Sequence, residues 1–379
     1  MKKSLLSILA LTSASALALV GCAEPPSATQ SPSTSDKPST SAPAATDAPS
    51  SPATDSASDF LACMVSDFGG FDDKSFNETA YNGMMMAKDE LGIQTKEIES
   101  NSEDEYAKNV QSMIEAKCNT IITVGFALAT ATEAAAKQNP DVNFIIVDNG
   151  SFEGVTNAKG LIFNTAQPAF MAGYAAAAMT QTGTVGTFGG AKYPTVTIFM
   201  DGFQQGVLYH NETKGTSVKV IGWDEAKQDG QFVGGNNPFG DTPAGKNTAV
   251  TLIAQGADII MPVAGPAGIG ALQAAQEAGD KVNTIWVDTD GYLSTEFGPK
   301  IITSVEKAMD VAVFENIKAA MEGSFSSEPY VGTLENGGAG LAPFHDFESK
   351  LPEGLQAELD QVKADIISGK ITITSPAQP

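Results

Sequence analysis

The chain contains no arginine: all 22 of its positively charged side chains are lysine. Arginine's planar fork is the usual two-point grip on carboxylate and phosphate groups, so its absence weakens any reading in which an amino acid, a nucleotide or a phosphate is the ligand. Lysine and helix N-termini are the substitutes that remain. Histidine is scarce as well. His210 and His345 are the only two, and neither stands in a metal-ligand spacing or near a candidate serine nucleophile. There is no GxxxxGK[ST] phosphate loop, and the run Gly265–Gly270, GPAGIG, inverts the dinucleotide-binding spacing. Asp72 and Asp73 sit side by side, but nothing around them matches the twelve-residue calcium loop. These absences leave little room for catalysis, and they predict neither a cofactor nor a metal. The net charge of −23 argues against nucleic acid or an anionic lipid surface as partner.

Beyond the first twenty residues no apolar run approaches the length of a membrane span. The start of the chain is different. Lys2 and Lys3 precede an apolar stretch from Leu5 to Val20, followed by Gly21 and Cys22, the pattern of a secretory signal over residues 1–21. Leu19-Val20-Gly21-Cys22 resembles a bacterial lipobox, which implies a lipidated (palmitate-bearing) Cys22 holding the protein to the cell membrane on its extracytoplasmic face. From residue 22 to 58 the chain is almost wholly Ser, Thr, Pro, Ala and Asp, a composition with too little apolar surface to offset ordering entropy and so expected to form a disordered tether. Cys63 and Cys118 then remain as an even pair in an exported protein. Cys63 lies in the first strand and Cys118 immediately before the third. A strand order of 2-1-3 would make those strands neighbours, so a disulfide is open to them, with two buried thiols as the alternative.

Residues 59–379 read as strand alternating with helix. β-rich runs at Leu61–Val65, Lys96–Glu99, Thr120–Val124 and Phe144–Val147 are separated by helical segments. A second series follows at Thr184–Phe188, Val218–Gly222, Asp258–Val263 and Thr284–Val287. That alternation predicts an α/β chain of βαβ units, arranged as two doubly wound parallel-sheet lobes joined by a hinge. The expected bounds are 59–164 plus 289–325 for lobe 1 and 165–288 plus 326–379 for lobe 2. In such sheets ligands sit beyond the carboxyl ends of the strands. Asp67, Gly125-Phe126, Asp148, Gly265 and Asp288 all follow strand ends, and each is a carboxylate or a glycine that exposes backbone. The stretch "SDFGGFDDKSFNETAYNGM", residues 66–84, adds aromatic rings and an amide beside the first of these. Gly69 and Gly70 suit a tight turn, and Asp72 and Asp73 suit the positive end of a helix starting near Ser75. Carboxylates accept from hydroxyls and aromatic faces stack on rings, so this constellation predicts a neutral ligand with one polar and one flat part.

"VSDFGGFDDKSFNETAYNGM", "FNTAQPAFMAGYAAAAM", "GTFGGAKYPTVTIFMDGFQQGV", "IIMPVAGPAGIGAL", "IWVDTDGYLS" and "IITSVEKAMDVAV" resemble, in this order over residues 60–348, the blocks of the basic membrane protein family. Those are lipoprotein receptors that feed nucleosides to ABC importers, with a type I periplasmic-binding-protein-like fold. The resemblance implies ligand-binding roles for eight residues: Asp67, Phe76, Asn77, Asp148, Phe232, Gly265, Asp288 and Lys307. By position, Phe76 and Phe232 would stack on the two faces of a purine and Asn77 would read its edge. Asp67 and Asp148 would supply pocket carboxylates, Gly265 would bring backbone to the ribose, and Asp288 and Lys307 would bond the sugar. The implied protein is no enzyme. It is a monomeric, membrane-anchored solute receptor whose partners are a nucleoside and an ABC permease. A sugar receptor of the same fold, or a surface or signalling lipoprotein, are the alternatives.

Overall fold

The computed structural model describes residues 59–379. The expected signal peptide, Cys22 and tether lie outside the described residues. The first half alternates: β1 (Leu61–Ser66), α1 (Phe76–Leu91), β2 (Gln94–Ile98), α2 (Glu103–Glu115), β3 (Thr120–Val124), α3 (Ala129–Gln138), β4 (Asn143–Val147) and β5 (Ala158–Phe163). There follow α4 (Ala166–Met179), β6 (Thr184–Gly189), α5 (Pro194–Lys214), β7 (Lys219–Ile221) and the two-residue strands β8 (Trp223–Asp224) and β9 (Asp229–Gly230). Next come α6 (Thr242–Ala254), β10 (Ile259–Val263), α7 (Pro266–Glu277) and β11 (Asn283–Asp288). The remainder holds α8 (Gly291–Ser294), β12 (Ile301–Lys307), α9 (Met309–Met321), β13 (Tyr330–Gly332), β14 (Ala339–Leu341) and α10 (Leu355–Ile367). Among the described residues no helix is long and apolar enough to cross a membrane.

Two six-stranded sheets result, with orders β13-β5-β4-β3-β1-β2 and β14-β12-β11-β10-β6-β7. The first is parallel throughout, and the second is parallel except for β14. Helices cover both faces, which is why β3 and β10 are buried at every position and carry continuous apolar runs rather than alternating ones. Edge strand β2, by contrast, is mostly exposed. On the second sheet α4 is almost entirely buried, and its small residues let α5 come close. A Cβ added at Gly173 or Gly206 would strike the backbone of Phe203 or Phe170 across that helix pair.

The chain passes between the sheets three times: from β5 to α4, from β12 to α9, which packs on α1, and from β13 to β14. These passages are stitched to one another. Asn164 N–H donates to Gly332 O at 2.8 Å, and Ala308 N–H to Gly338 O at 3.0 Å. The expected bounds need two corrections. β12 lies within 289–325 but pairs in parallel with β11, Val305 opposite Val287, and so belongs to the second sheet. β13 lies within 326–379 but pairs with β5 in the first. Sheet membership is decided by which unpaired edge a strand meets, a long-range event that leaves no local mark on the sequence.

The order β2-β1-β3 places Cys63 and Cys118 together, and they are bonded, with their Cα atoms 5.9 Å apart and 55 residues between them along the chain. We expect the Cys63→Ser, Cys118→Ser double variant to lose about 2–4 kcal/mol of stability, the cost of freeing a loop of that length in the unfolded chain. Urea unfolding with and without reductant measures it: the wild-type midpoint should fall on reduction and that of the variant should not.

Candidate functional site

The carboxyl ends of the two sheets face each other. From the first come Asp67 (after β1), Gly125 and Phe126 (after β3) and Asp148 (after β4); from the second come Gly265 (after β10), Asp288 (closing β11) and Lys307 (closing β12). All line one cavity, part of it open to solvent. Asp148 and Asp288 both adopt left-handed backbone, at φ 64° and 73°. Non-glycine residues are uncommon there, and the strain is tolerated where it aims a side chain. Here it turns two carboxylates, one from each sheet, toward the same point.

That point is the Lys307 ammonium. Lys307 is 4% exposed, and its Nζ lies 2.7 Å from Asp148 Oδ2 across the cleft and 3.5 Å from Asp288 Oδ1 on its own sheet. It also sits over the rings of Phe76 at 4.9 Å and Phe199 at 5.2 Å. Burial opposes its charge, but Asp148 and Asp288 outweigh that and hold its pKa above the ordinary lysine value. For Asp148, burial raises the carboxyl pKa above its usual range, Lys307 and a Thr195 hydroxyl pull it down, and Asp288 pushes it up. Further bonds cross between the sheets nearby. The Ser75 hydroxyl donates to Asp288 Oδ2 at 2.8 Å, and Lys74 O accepts from Trp286 Nε1 at 3.2 Å and Ser294 Oγ at 3.1 Å.

The opening of α1 builds another part of the wall. Asp73 accepts from the backbone N–H groups of Ser75 (2.9 Å), Asn77 (2.8 Å) and Glu78 (3.0 Å), so it caps the helix as its position suggested while also facing the cavity. Burial raises its pKa to about 6 against those three donors. Asn77 Nδ2 donates to Asp67 Oδ1 (3.1 Å) and Phe68 O (3.0 Å). Burial pushes the Asp67 carboxyl well above the ordinary range; Asn77 lowers it, and Asp73 and Asp148 raise it. Phe68, outwardly a surface ring in the sequence, is buried edge-on to Tyr106 at 6.1 Å.

Seven of the eight expected residues therefore meet in one cavity. Phe232 does not. It forms a bridge to Gly189 and packs edge-on against Trp223 at 6.1 Å, held in the second lobe's own core. The second lobe presents instead Tyr193, Phe199 and, seven residues on in "NNPFGD", Phe239, with Tyr193 5.8 Å from Phe239 and Phe126 5.4 Å beyond Tyr193. Phe239 packs against apolar side chains of both sheets, and its carbonyl accepts from Ala267 N–H at 2.6 Å at the start of α7. The sequence signal for Tyr193 and Thr195 was available, since "YPT" follows the end of β6. For Phe239 it was not, because no strand ends beside it. Among the described residues no group of three or more His, Cys, Asp or Glu side chains is arranged to hold a metal ion.

Residues 60–376 match the model of a family described as ABC transporter substrate-binding protein PnrA-like. The chain is 31% identical to Basic membrane protein A of Borreliella burgdorferi, over 81% of this chain and 86% of that protein. It is 30% identical to the ABC transporter nucleoside-binding protein BmpA of Lactococcus lactis, over 84% and 90%. An ABC transporter solute-binding protein from Aeropyrum pernix has a similar structure, with TM-score 0.72 and 26% identity over 84% of this chain and 94% of that one.

Lys307→Met would leave Asp148 and Asp288 buried without a counter-charge, a loss of about 3–5 kcal/mol at neutral pH. In the variant the folded-state pKa of Asp148, already raised by burial, rises further above its unfolded value. Its stability then recovers as pH falls and the acids protonate. Urea titrations of both proteins should show the gap narrowing from pH 7 toward about pH 4, near the ordinary carboxylate pKa; a gap independent of pH contradicts the charge argument.

Proposed function

The chain belongs to the PnrA-like family of ABC transporter substrate-binding proteins, and from that premise we propose that it is a membrane-anchored receptor that clasps a purine nucleoside between its two lobes and hands it to an ABC permease. It binds and does no chemistry. His210 pairs with Thr216 and packs edge-on against Tyr174, and His345 pairs with Asp290; neither faces the cleft. The observation that carries the reading is the make-up of the cavity: carboxylates and a neutralised lysine at the ends of β4, β11 and β12, with Phe76 on one side and Phe239 on the other. Carboxylates suit ribose hydroxyls, each such bond adding about 1.5–3 kcal/mol. Facing rings suit a flat base, at about 1–3 kcal/mol per stack. Because the charge of Lys307 is already matched, an anionic ligand gains little, which favours a nucleoside over a nucleotide. The lipobox at Cys22 supports anchoring on the extracytoplasmic side, and a monomer suffices because both walls of the cleft come from one chain. Closing on the ligand is a shift in population toward the form in which both lobes touch it.

Calorimetry with adenosine, guanosine, inosine and ribose tests the substrate class: nucleosides should bind and ribose far more weakly, and equal affinity for ribose would overturn the base-stacking account. Phe239→Ala should weaken nucleoside binding roughly 5- to 150-fold, the range that one lost stack implies, while Phe232→Ala should act on stability with little change in affinity.

A further inference from the structure

We infer that residues 374–379, in the segment following α10, are the rear wall of the cleft: a strap anchored on the second lobe that shuts water out from behind the Lys307 cluster and thereby helps to hold the lobes closed.

The strap has neither helix nor strand of its own, so its course is set by side chains. Just before it, Ile373 is buried in the second lobe's core, with Ile371 and Ala377 packed against that core. Gln205 of α5 then grips the backbone of Thr374 through both its N–H and its carbonyl. The Gln205 Oε1 accepts from Thr374 N–H at 3.1 Å, and Nε2 donates to Thr374 O and, at 2.8 Å, to Glu225 Oε1. The Ser375 hydroxyl donates to Asp201 Oδ2 at 2.5 Å. Asp201 is fully buried, and its other oxygen accepts from Trp223 Nε1 and Gln228 Nε2, each at 2.9 Å. A buried carboxylate needs its donors, and Ser375 supplies one of them. The anchor is therefore specific.

Past this anchor, Ala377 and Pro379 line a second cavity, distinct from the one built by the strand ends, together with Ile198 of α5 and with Ile162 and Phe163 of β5. The strap is bonded to the second lobe, and across this cavity it faces the first. Asp148, Thr195 and Lys307 line both cavities, so they form the partition between the ligand's side and the strap's side. The Lys307 ammonium sits in that partition, 6.0 Å from the ring of Phe163, which lines only the rear cavity.

Lys307 stays buried only while both sides are shut. Its attraction to Asp148 is the charged contact that joins the two sheets, and such an attraction falls several-fold when water replaces protein around the pair. Water admitted from the rear would weaken it without altering any contact of the ligand. The strap thus acts on affinity through closure, and alike for every ligand that the cleft accepts.

The test compares the intact chain with one lacking residues 374–379, both free of ligand, by acetylating lysines with an N-hydroxysuccinimide ester and following each site by mass spectrometry. Acetylation of Lys307 should be at least about tenfold faster in the shortened chain, about 1.4 kcal/mol of lost protection, with exposed Lys96 on β2 unchanged as the reference. This readout needs no ligand and so stands apart from the nucleoside reading. That reading enters in a second arm, where affinities for guanosine, inosine and adenosine should fall by one common factor. A full-length Gln205→Ala, Ser375→Ala variant loosens the strap without removing it. It should show both changes in smaller measure, and it decides the matter if the shortened chain does not fold. Equal labelling of Lys307 in all three chains overturns the inference. Faster labelling with unchanged affinities overturns the link to closure. An intact chain that binds no nucleoside overturns the nucleoside reading alone, and the labelling result still decides this one.

Discussion

A single buried ammonium governs the cleft. Lys307 has lost its water, and only the pair of carboxylates that meet it across the gap makes its charge tolerable. Because one of those carboxylates belongs to the opposite sheet, the same contact that neutralises the lysine draws the lobes together. The strained backbone at Asp148 and Asp288 follows from this need, since an acid continuing along its strand would not turn in to reach the amine. Among the described residues lining the cleft the one cation is already matched by two acids, which leaves no surplus positive charge there.

The other half of the cleft is arranged on the opposite principle. There the Asn77 amide donates to Asp67 and Phe68 O, while its own oxygen and the Tyr106 hydroxyl are buried without a partner among the described residues. One region is electrostatically complete and the other is not. Phe76 from the first lobe and Phe239 from the second line the same cavity as both clusters.

Much of this was legible before any coordinates. Parallel strands deliver functional groups at their carboxyl ends, so Asp67, Asp148, Gly265 and Asp288 stood out merely by following apolar runs, and the family resemblance added Phe76, Asn77 and Lys307. The doubly wound sheets were legible from the spacing of those runs; the strand order they implied made Cys63 and Cys118 neighbours but left a bridge and two buried thiols both open, and the structure has the bridge. The failures share a cause. Whether Phe232 or Phe239 lines the cleft depends on where an irregular segment of the second lobe docks, and Gly189 and Trp223 claim the former by contacts remote in sequence. The sheet to which β12 and β13 belong is likewise set by pairing partners distant along the chain. Local pattern reports the element and its exposed end; it is silent on choices made by tertiary docking.

The three passages between the sheets are bonded to one another through Asn164, Gly332, Ala308 and Gly338. Parallel threads knotted together in this way act as a piano hinge: they bend about one line but oppose sliding along it. The two jaws would then return to the same registration at every stroke. Discrimination at the rim could rest on angstrom-scale alignment of facing groups without any separate device to re-centre them.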